Sequence, residues 1–301
     1  MKSLSLWHNG IVYQEDKEMP RLTSSFNVLV KVYYAGICRT DIGIAFGRIP
    51  AKENVVLGHE FCGKVVGFLN GEDEMDGWHR GDAVSANPMA FGKTEDVMCG
   101  KECDGAFAEY IAVPSKALIR LTPFLLSPWG AYLEPVAAAI APLKYLDDKD
   151  KICIFGESRI AELTYQAVRI IKHKDIERVT RLDELKKDYY DCIIETEPDH
   201  VDAYVNALKP RGLLIMKSRS FAPSSIISNN IAMKEICIQG ARYGDFNVAC
   251  HILVASAHQV YGRLDPYSLF GQEYELSEFE AAFTEAAHPN SKKVFFRICA
   301  E

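Results

Sequence analysis

The sequence lacks the features of several protein classes. No apolar run reaches the roughly 18–20 uncharged residues that span a bilayer, and the start, MKSLSLWHNG, has no sustained apolar core typical of a signal peptide. Positive charge is not in excess, since 34 Lys and Arg residues against 41 Asp and Glu residues give a net charge of −7. Because phosphate binding needs a positive field, nucleic acid and membranes are excluded as main partners. We expect a cytoplasmic protein that acts on a small-molecule substrate.

Cysteine is present without the arrangement of a disulfide framework. The nine cysteines form an odd, scattered set that often lies inside apolar runs, which predicts reduced thiols and metal ligands. A hydrophobic fraction of 48% with 25% charged residues is ordinary for a globular protein and excludes disorder. A length of 301 residues favours two domains.

The pattern of apolar and turn-forming residues changes near residue 140. Before about residue 130, β-branched and aromatic runs alternate with Gly, Pro and Asn, which predicts a barrel or a rolled sheet. From about residue 133 onward, helices alternate with strands, and this order predicts βαβ units with a parallel sheet. The predicted strands are 28–34, 62–68, 82–85, 107–113, 151–155, 191–195, 213–216 and 293–298, and the predicted helices are 133–146, 160–172, 201–208 and 276–287.

Three polar signatures point to a metal site. They are GICRTD at 36–41, GHE at 58–60 and LEP at 133–135. Cys, His and Glu are side chains that bind Zn²⁺, and three protein ligands with one open position form the catalytic arrangement. Each residue alone is more often a buried structural group, so the signal lies in their joint presence.

The order of these motifs resembles the zinc-dependent alcohol dehydrogenase branch of the medium-chain dehydrogenase/reductase superfamily. GDAV at 81–84 and GAFAEY at 105–110 extend the resemblance over nearly the whole chain. It implies an α/β protein with a GroES-like β-barrel catalytic domain (1–138 and 266–301) and a reduced, doubly wound Rossmann-like parallel-sheet domain (139–265).

The resemblance also implies a role for each polar residue. The implied zinc ligands are Cys38, His59 and Glu134. Glu60 is a neighbouring carboxylate able to approach or replace a ligand, Asp41 orients the zinc-binding histidine, and Thr40 passes the substrate proton to solvent. The family's structural zinc needs four closely spaced cysteines, whereas this chain offers Cys99 and Cys103. We therefore predict one catalytic zinc, no structural zinc, and two free thiols.

The dinucleotide turn departs from the G-x-G-x-x-G pattern, because the strand 151–155 runs into GESRIA at 156–161. Gly156 is kept, but Ser158 places a side chain where the backbone should meet pyrophosphate. Glu157 adds a negative charge beside the expected anion, and Arg159 is placed to compensate. The alternative interpretation is a plain helix start with Ser158 as its N-cap.

The spacing after this turn is short. The stretch between Gly156 and Asp191 cannot hold a helix, a strand, a second helix and another strand. We expect that the strand–helix unit carrying the ribose-binding acid about 20 residues after the turn is missing. Asp175 and Glu177 precede a strand-like run, so neither is expected to replace that acid.

Other residues match positions near the cofactor in the family: Arg39, Arg242 and Lys293. Each can equally be interpreted as a surface charge. The leading hypothesis is a zinc-dependent oxidoreductase that interconverts an alcohol and a ketone or aldehyde with NAD(P). One alternative is a zinc-dependent lyase, cyclase or isomerase without dinucleotide binding, with Glu60 or Thr40 in proton transfer. A weaker alternative is a non-catalytic ligand-binding relative. Homodimerisation through the Rossmann-like domain is usual in this family.

Overall fold

The computed structural model describes residues 1–8, 10–93, 97–172, 175–219, 228–258 and 263–299. The chain divides into two compact units. The first consists of Met1–Glu134, Leu253–Val260 and Pro266–Glu301, and the second of Pro135–Ile252 and Tyr261–Asp265. Among the helices of these described ranges, none is long and apolar enough to cross a membrane.

The regular elements are numbered in chain order. The strands are β1 (Ser3–Trp7), β2 (Gly10–Gln14), β3 (Val28–Gly36), β4 (Glu60–Phe68), β5 (Glu74–Met75), β6 (Trp78–His79), β7 (Ala83–Ala86), β8 (Tyr110–Val113), β9 (Leu118–Arg120), β10 (Lys151–Phe155), β11 (Asp175–Val179), β12 (Tyr190–Glu195), β13 (Leu208–Met216), β14 (Cys237–Gly240), β15 (Phe270–Tyr274) and β16 (Lys293–Arg297). The helices are α1 (Arg39–Ala45), α2 (Pro128–Ala131), α3 (Leu133–Ala139), α4 (Arg159–Lys172), α5 (Val201–Ala207), α6 (Ser228–Lys234), α7 (Phe246–Ala257), α8 (Pro266–Leu269) and α9 (Phe279–Ala287).

The first unit is built around a seven-stranded sheet. Its order is β15-β16-β3-β4-β7-β9, with β8 paired to β3, and every pair except the parallel β15–β16 is antiparallel. Alternate residues of β3 face a core that includes Val28, Val30 and Val32, which are fully buried. This alternation follows from the two-residue period of a strand with one buried face. The unit agrees with the predicted rolled sheet.

The second unit contains a five-stranded parallel sheet in the order β11-β10-β12-β13-β14. The sequences KICIF of β10 and YDCIIE of β12 are buried nearly throughout. Continuous apolar runs are what a parallel strand covered on both faces requires. The predicted α/β class, with a strand-rich domain and a reduced doubly wound domain, is confirmed.

The structure corrects the prediction of which strand is missing. β11 follows α4 directly and pairs with β10 in parallel, with Phe155 opposite Val179. In a six-stranded Rossmann sheet of order 3-2-1-4-5-6, β11 holds the place of strand 2, the strand that leads to the ribose. The ribose-side strand is therefore present, and what the short connection from β11 to β12 omits is an outer strand. Asp175 and Glu177 lie within β11 rather than before a strand.

The predicted helix 133–146 is shorter in the structure. α3 ends at Ala139, and the chain continues as a 3-10 turn over Ala141–Tyr145. Pro142 cannot donate a helical hydrogen bond and restricts the residue before it, which explains why the α-helix stops here.

Candidate metal centre and dinucleotide turn

Cys38 occupies the N-cap of α1, two residues after the end of β3. Its backbone N–H donates to the Asp41 carboxylate at 2.8 Å. Its thiol faces the Thr40 hydroxyl with an S···O distance of 3.7 Å. The turn from β3 into α1 therefore fixes both the thiol and a neighbouring hydroxyl at one place.

His59 is held by a loop that requires glycine. Gly58 has a φ of +92°, and a Cβ at this position would come within 2.3 Å of the Phe107 ring. The backbone N–H groups of Phe107 and Ala106 donate to Leu57 and Gly58 at 2.8 and 2.9 Å. A left-handed backbone with no room for a side chain fits glycine alone. The loop places the next residue, His59, immediately before β4.

Asp41 connects the loop of Cys38 to the loop of His59. It is fully buried, and its Oδ1 lies 3.4 Å from His59 Nδ1 and 3.3 Å from the Gly58 nitrogen. A carboxylate on one ring nitrogen fixes the orientation of the imidazole and directs the other nitrogen towards a metal. This is the contact implied by the resemblance.

The charge state of His59 follows from the same neighbours. Burial lowers the pKa of His59, but the negative charges of Asp41 and Cys38 outweigh burial and raise the pKa well above its ordinary value. The pocket around this imidazole therefore favours positive charge. A bound cation satisfies that preference as well as a proton does.

Glu60 forms a buried ion pair that the sequence did not predict. Glu60 and Lys293 are 2% and 3% exposed, and their charged groups are in contact. A Cβ on Gly36 would come within 2.6 Å of both side chains, so this glycine provides the space for the pair. Burial raises the pKa of Glu60, Lys293 lowers it, and the nearby charge of Glu134 raises it, with a net increase. Lys293, expected near cofactor phosphates, is here the partner of a carboxylate in the first unit.

Three donor atoms come together in a compact group. Among the described residues, one ligand atom each from Cys38, His59 and Glu60 lie within 4.8 Å of one another. Glu134, which is buried at the start of α3, is outside this group but close enough to influence Glu60. Thiolate, imidazole and carboxylate form the mixed donor set that suits Zn²⁺, so the residues fit the metal that the resemblance implies.

Cys99 and Cys103 lie in one loop as free cysteines. Burial raises the pKa of both thiols, to about 12 for Cys103 and well above its ordinary value for Cys99. Zinc is bound by the thiolate form. These two groups are therefore protonated at neutral pH.

The turn between β10 and α4 keeps part of the dinucleotide pattern. Gly156 has a φ of +138°, and a Cβ there would lie 2.2 Å from Thr196 Oγ1. The 14-residue helix α4 begins at Arg159, so its N-terminal amides lie at the carboxyl end of β10. Such an N-terminus attracts anions through its unpaired amides and its dipole. The backbone of this turn fits the diphosphate of a dinucleotide.

The side chains around the turn were not expected from the sequence. Glu197 Oε1 accepts the backbone N–H of Glu157 at 2.8 Å, and Arg178 donates to the Gly156 and Glu157 carbonyls at 3.1 and 3.0 Å. The Ser158 hydroxyl is buried without a hydrogen-bond partner among the described residues, so Ser158 does not act as a side-chain N-cap. Its backbone carbonyl accepts the Glu162 N–H of α4 at 3.1 Å.

The three predicted arginines differ in where they lie relative to these clusters. Arg39 is exposed at the first position of α1, beside Cys38. Arg242 is exposed just after β14, and β14 is at the opposite edge of the sheet from β11. Arg159 is half-buried at the start of α4.

Comparison with known proteins identifies the first domain. Residues 24–123 match the family model of the alcohol dehydrogenase GroES-like domain. The chain is 28% identical over 236 residues to a probable D-xylulose reductase A of Emericella nidulans, covering 69% of this chain and 64% of the relative. It is 27% identical over 191 residues to the galactitol 1-phosphate 5-dehydrogenase of Escherichia coli K12, covering 58% and 54%. These two alignments thus span less than two thirds of each relative's length.

Solved structures share the fold over almost the whole chain. A putative zinc-binding dehydrogenase from Sinorhizobium meliloti, bound to NADP, superposes with a TM-score of 0.81 at 21% identity and covers 98% of each chain. An alcohol dehydrogenase (rspB) from E. coli CFT073, complexed with NADH, superposes with a TM-score of 0.82 at 20% identity and covers 99% of each chain. The chain therefore contains an alcohol dehydrogenase GroES-like domain over residues 24–123, and over almost its whole length it shares the fold of these two dehydrogenases.

Proposed function

We propose that the protein is a zinc-dependent oxidoreductase that interconverts an alcohol and a ketone or aldehyde with NAD(P). The observation that carries this proposal is the buried cluster of Cys38, His59 and Glu60, with Asp41 behind the imidazole. When bound, zinc supplies a Lewis acid for the alcohol or carbonyl oxygen and NAD(P) supplies or accepts the hydride.

The protein side chains hold and orient these groups. Cys38 and His59 would hold the metal, and Glu134 is the proposed third ligand because Lys293 already neutralises Glu60. Glu60, whose donor oxygen lies in the same group as the Cys38 and His59 donors, is the alternative third ligand. Asp41 keeps the imidazole of His59 in one orientation.

A hydroxyl is available for proton transfer. Thr40 lies next to the Cys38 sulfur and is half-buried. We assign to Thr40 the passage of the substrate hydroxyl proton towards solvent, which needs only a donor–acceptor group within hydrogen-bond reach.

The substrate class is proposed from the relatives. The similar proteins are named D-xylulose reductase, galactitol 1-phosphate 5-dehydrogenase and sorbitol dehydrogenase. Their names share an open-chain polyol or its keto sugar. We therefore propose a polyol-type secondary alcohol as the substrate.

We also propose a homodimer through the edge of the second sheet. β14 is the last strand in the sheet order, and its residues Cys237 and Ile238 are exposed. Such an edge offers unpaired backbone groups to a second copy. Light scattering should give a dimer for the native chain and a monomer for Ile238→Lys.

The central test combines metal analysis with cofactor titration. Cys38→Ser should lower bound zinc well below one per chain, whereas the control Cys237→Ser, at an exposed thiol, should leave it unchanged. Zinc-loaded native protein should bind NADH or NADPH in a calorimetric titration and should then oxidise polyols. Unchanged zinc content in Cys38→Ser would refute the metal site, and no binding at millimolar cofactor would refute the redox reaction.

A further inference from the structure

The Glu197 carboxylate occupies the anion position of the dinucleotide turn. Glu197 comes two residues after the end of β12, and its Oε1 accepts the Glu157 N–H at 2.8 Å. The same oxygen would lie 3.0 Å from a Cβ at Gly156. The internal carboxylate thus binds at the glycine turn, where a dinucleotide presents its diphosphate.

The Glu197 carboxylate and a cofactor diphosphate would accept a hydrogen bond from the same donor, the Glu157 N–H. A backbone N–H satisfies one acceptor well, and a second anion at the same amide meets the negative charge of the first. Glu157 adds another carboxylate at the turn, and the two carboxylates repel an incoming diphosphate, against the attraction of Arg159 and Arg178. The Glu197 side chain must rotate away before the Glu157 amide can bind a cofactor.

The turn does not depend on Glu197 for its shape. The Gly156 N–H donates to the Val179 carbonyl at 3.0 Å, and Arg178 donates to two carbonyls of the turn. The Thr196 hydroxyl donates to the Phe155 carbonyl at 2.9 Å. Removing the Glu197 carboxylate therefore leaves these contacts in place and frees the Glu157 amide.

We propose that Glu197 is an affinity-determining residue that competes with the cofactor diphosphate for the β10–α4 turn. The proposal rests on the proposed function, because it concerns the dinucleotide that this function requires. Its consequence is weak cofactor binding in the native protein, with the carboxylate as the displaced group.

Calorimetric titration of zinc-loaded protein with NADPH and with NADH tests this competition. Glu197→Ala should bind the preferred cofactor about 10- to 100-fold more tightly than the native protein, the range expected for one hydrogen bond to a charged group. Glu197→Gln keeps an acceptor without the charge, so its cofactor affinity should lie between those of the native protein and Glu197→Ala. Asp199→Asn removes an exposed charge two residues away, and its cofactor affinity should equal that of the native protein. Hydrogen exchange at the Glu157 amide should be slow in the native protein, fast in Glu197→Ala, and slow again when cofactor is added.

Two results would overturn the proposal, and they differ in what they imply. If native protein and Glu197→Ala bind cofactor equally well, the competition is absent and the dehydrogenase function stands. If neither binds at millimolar cofactor, Glu197 does not limit binding and the proposed redox function fails as well.

Discussion

Lys293→Met should strongly destabilise the first unit of the metal-free protein. The variant keeps an unbranched apolar side chain in the space beside Gly36 but leaves Glu60, at 2% exposure, without its cationic partner. Breaking one side of a buried ion pair typically costs about 3–5 kcal/mol, because the remaining charge stays desolvated. The nearby Glu134 charge, which already raises the pKa of Glu60, adds to this cost.

Chemical denaturation after chelator treatment measures the change in the free energy of unfolding. The double variant Glu60→Gln/Lys293→Met should recover most of the loss, since a neutral amide replaces the isolated charge. Lys292→Met removes an exposed ammonium that donates to the Tyr267 carbonyl and should cost no more than about 1 kcal/mol. Added zinc should reduce the loss in Lys293→Met because the metal supplies positive charge beside the carboxylate. A loss below about 1 kcal/mol, with no coupling in the double variant, would contradict the buried pair.

Three further outcomes follow from the two sites. Asp41→Asn should weaken zinc binding about 10- to 100-fold, measured by chelator competition, because the His59 imidazole loses its orienting carboxylate; unchanged affinity would contradict that role. Gly58→Ala should lower the melting temperature and the zinc content together, since a Cβ there meets the Phe107 ring at 2.3 Å and φ is +92°; a native-like melting curve would refute the steric argument. NADPH should bind more tightly than NADH, because Arg181 follows the end of β11 and can exchange its exposed partner Asp183 for a 2′-phosphate; Arg181→Ala should abolish the difference, and a preference for NADH would contradict it.

Features that depend on neighbours in the sequence could be predicted from it. The strand 151–155 coincides with β10, and the helix 160–172 differs from α4 by one residue at its start. These elements follow from apolar periodicity and length, which act locally. The roles of Cys38, His59 and Asp41 were implied by short motifs, and the structure brings these three residues together.

The errors concern the order of strands in the sheet and the long-range pairs. The spacing after Gly156 predicted a missing unit, but spacing alone does not say which strand remains, whereas the register of β11 beside β10 does. Glu197 and Glu157 are 40 positions apart, and no sequence period relates them. A polar run directly after the buried strand β12 was the available signal, since such residues lie at the carboxyl edge of a parallel sheet.

The two long-range pairs are both electrostatic, but they differ in burial. In the first unit the buried charge of Glu60 must find a partner within the folded chain, and Lys293 is that partner, because leaving a buried charge unpaired costs more than most single contacts contribute. In the second unit the exposed Glu157 amide is paired with the Glu197 carboxylate. Motifs name the groups that bind a ligand but not the groups that replace the ligand in its absence. A ligand must displace these internal partners, and the free energy of that displacement lowers its affinity. Lys293 and Glu197 should therefore control affinity at sites where neither is a ligand.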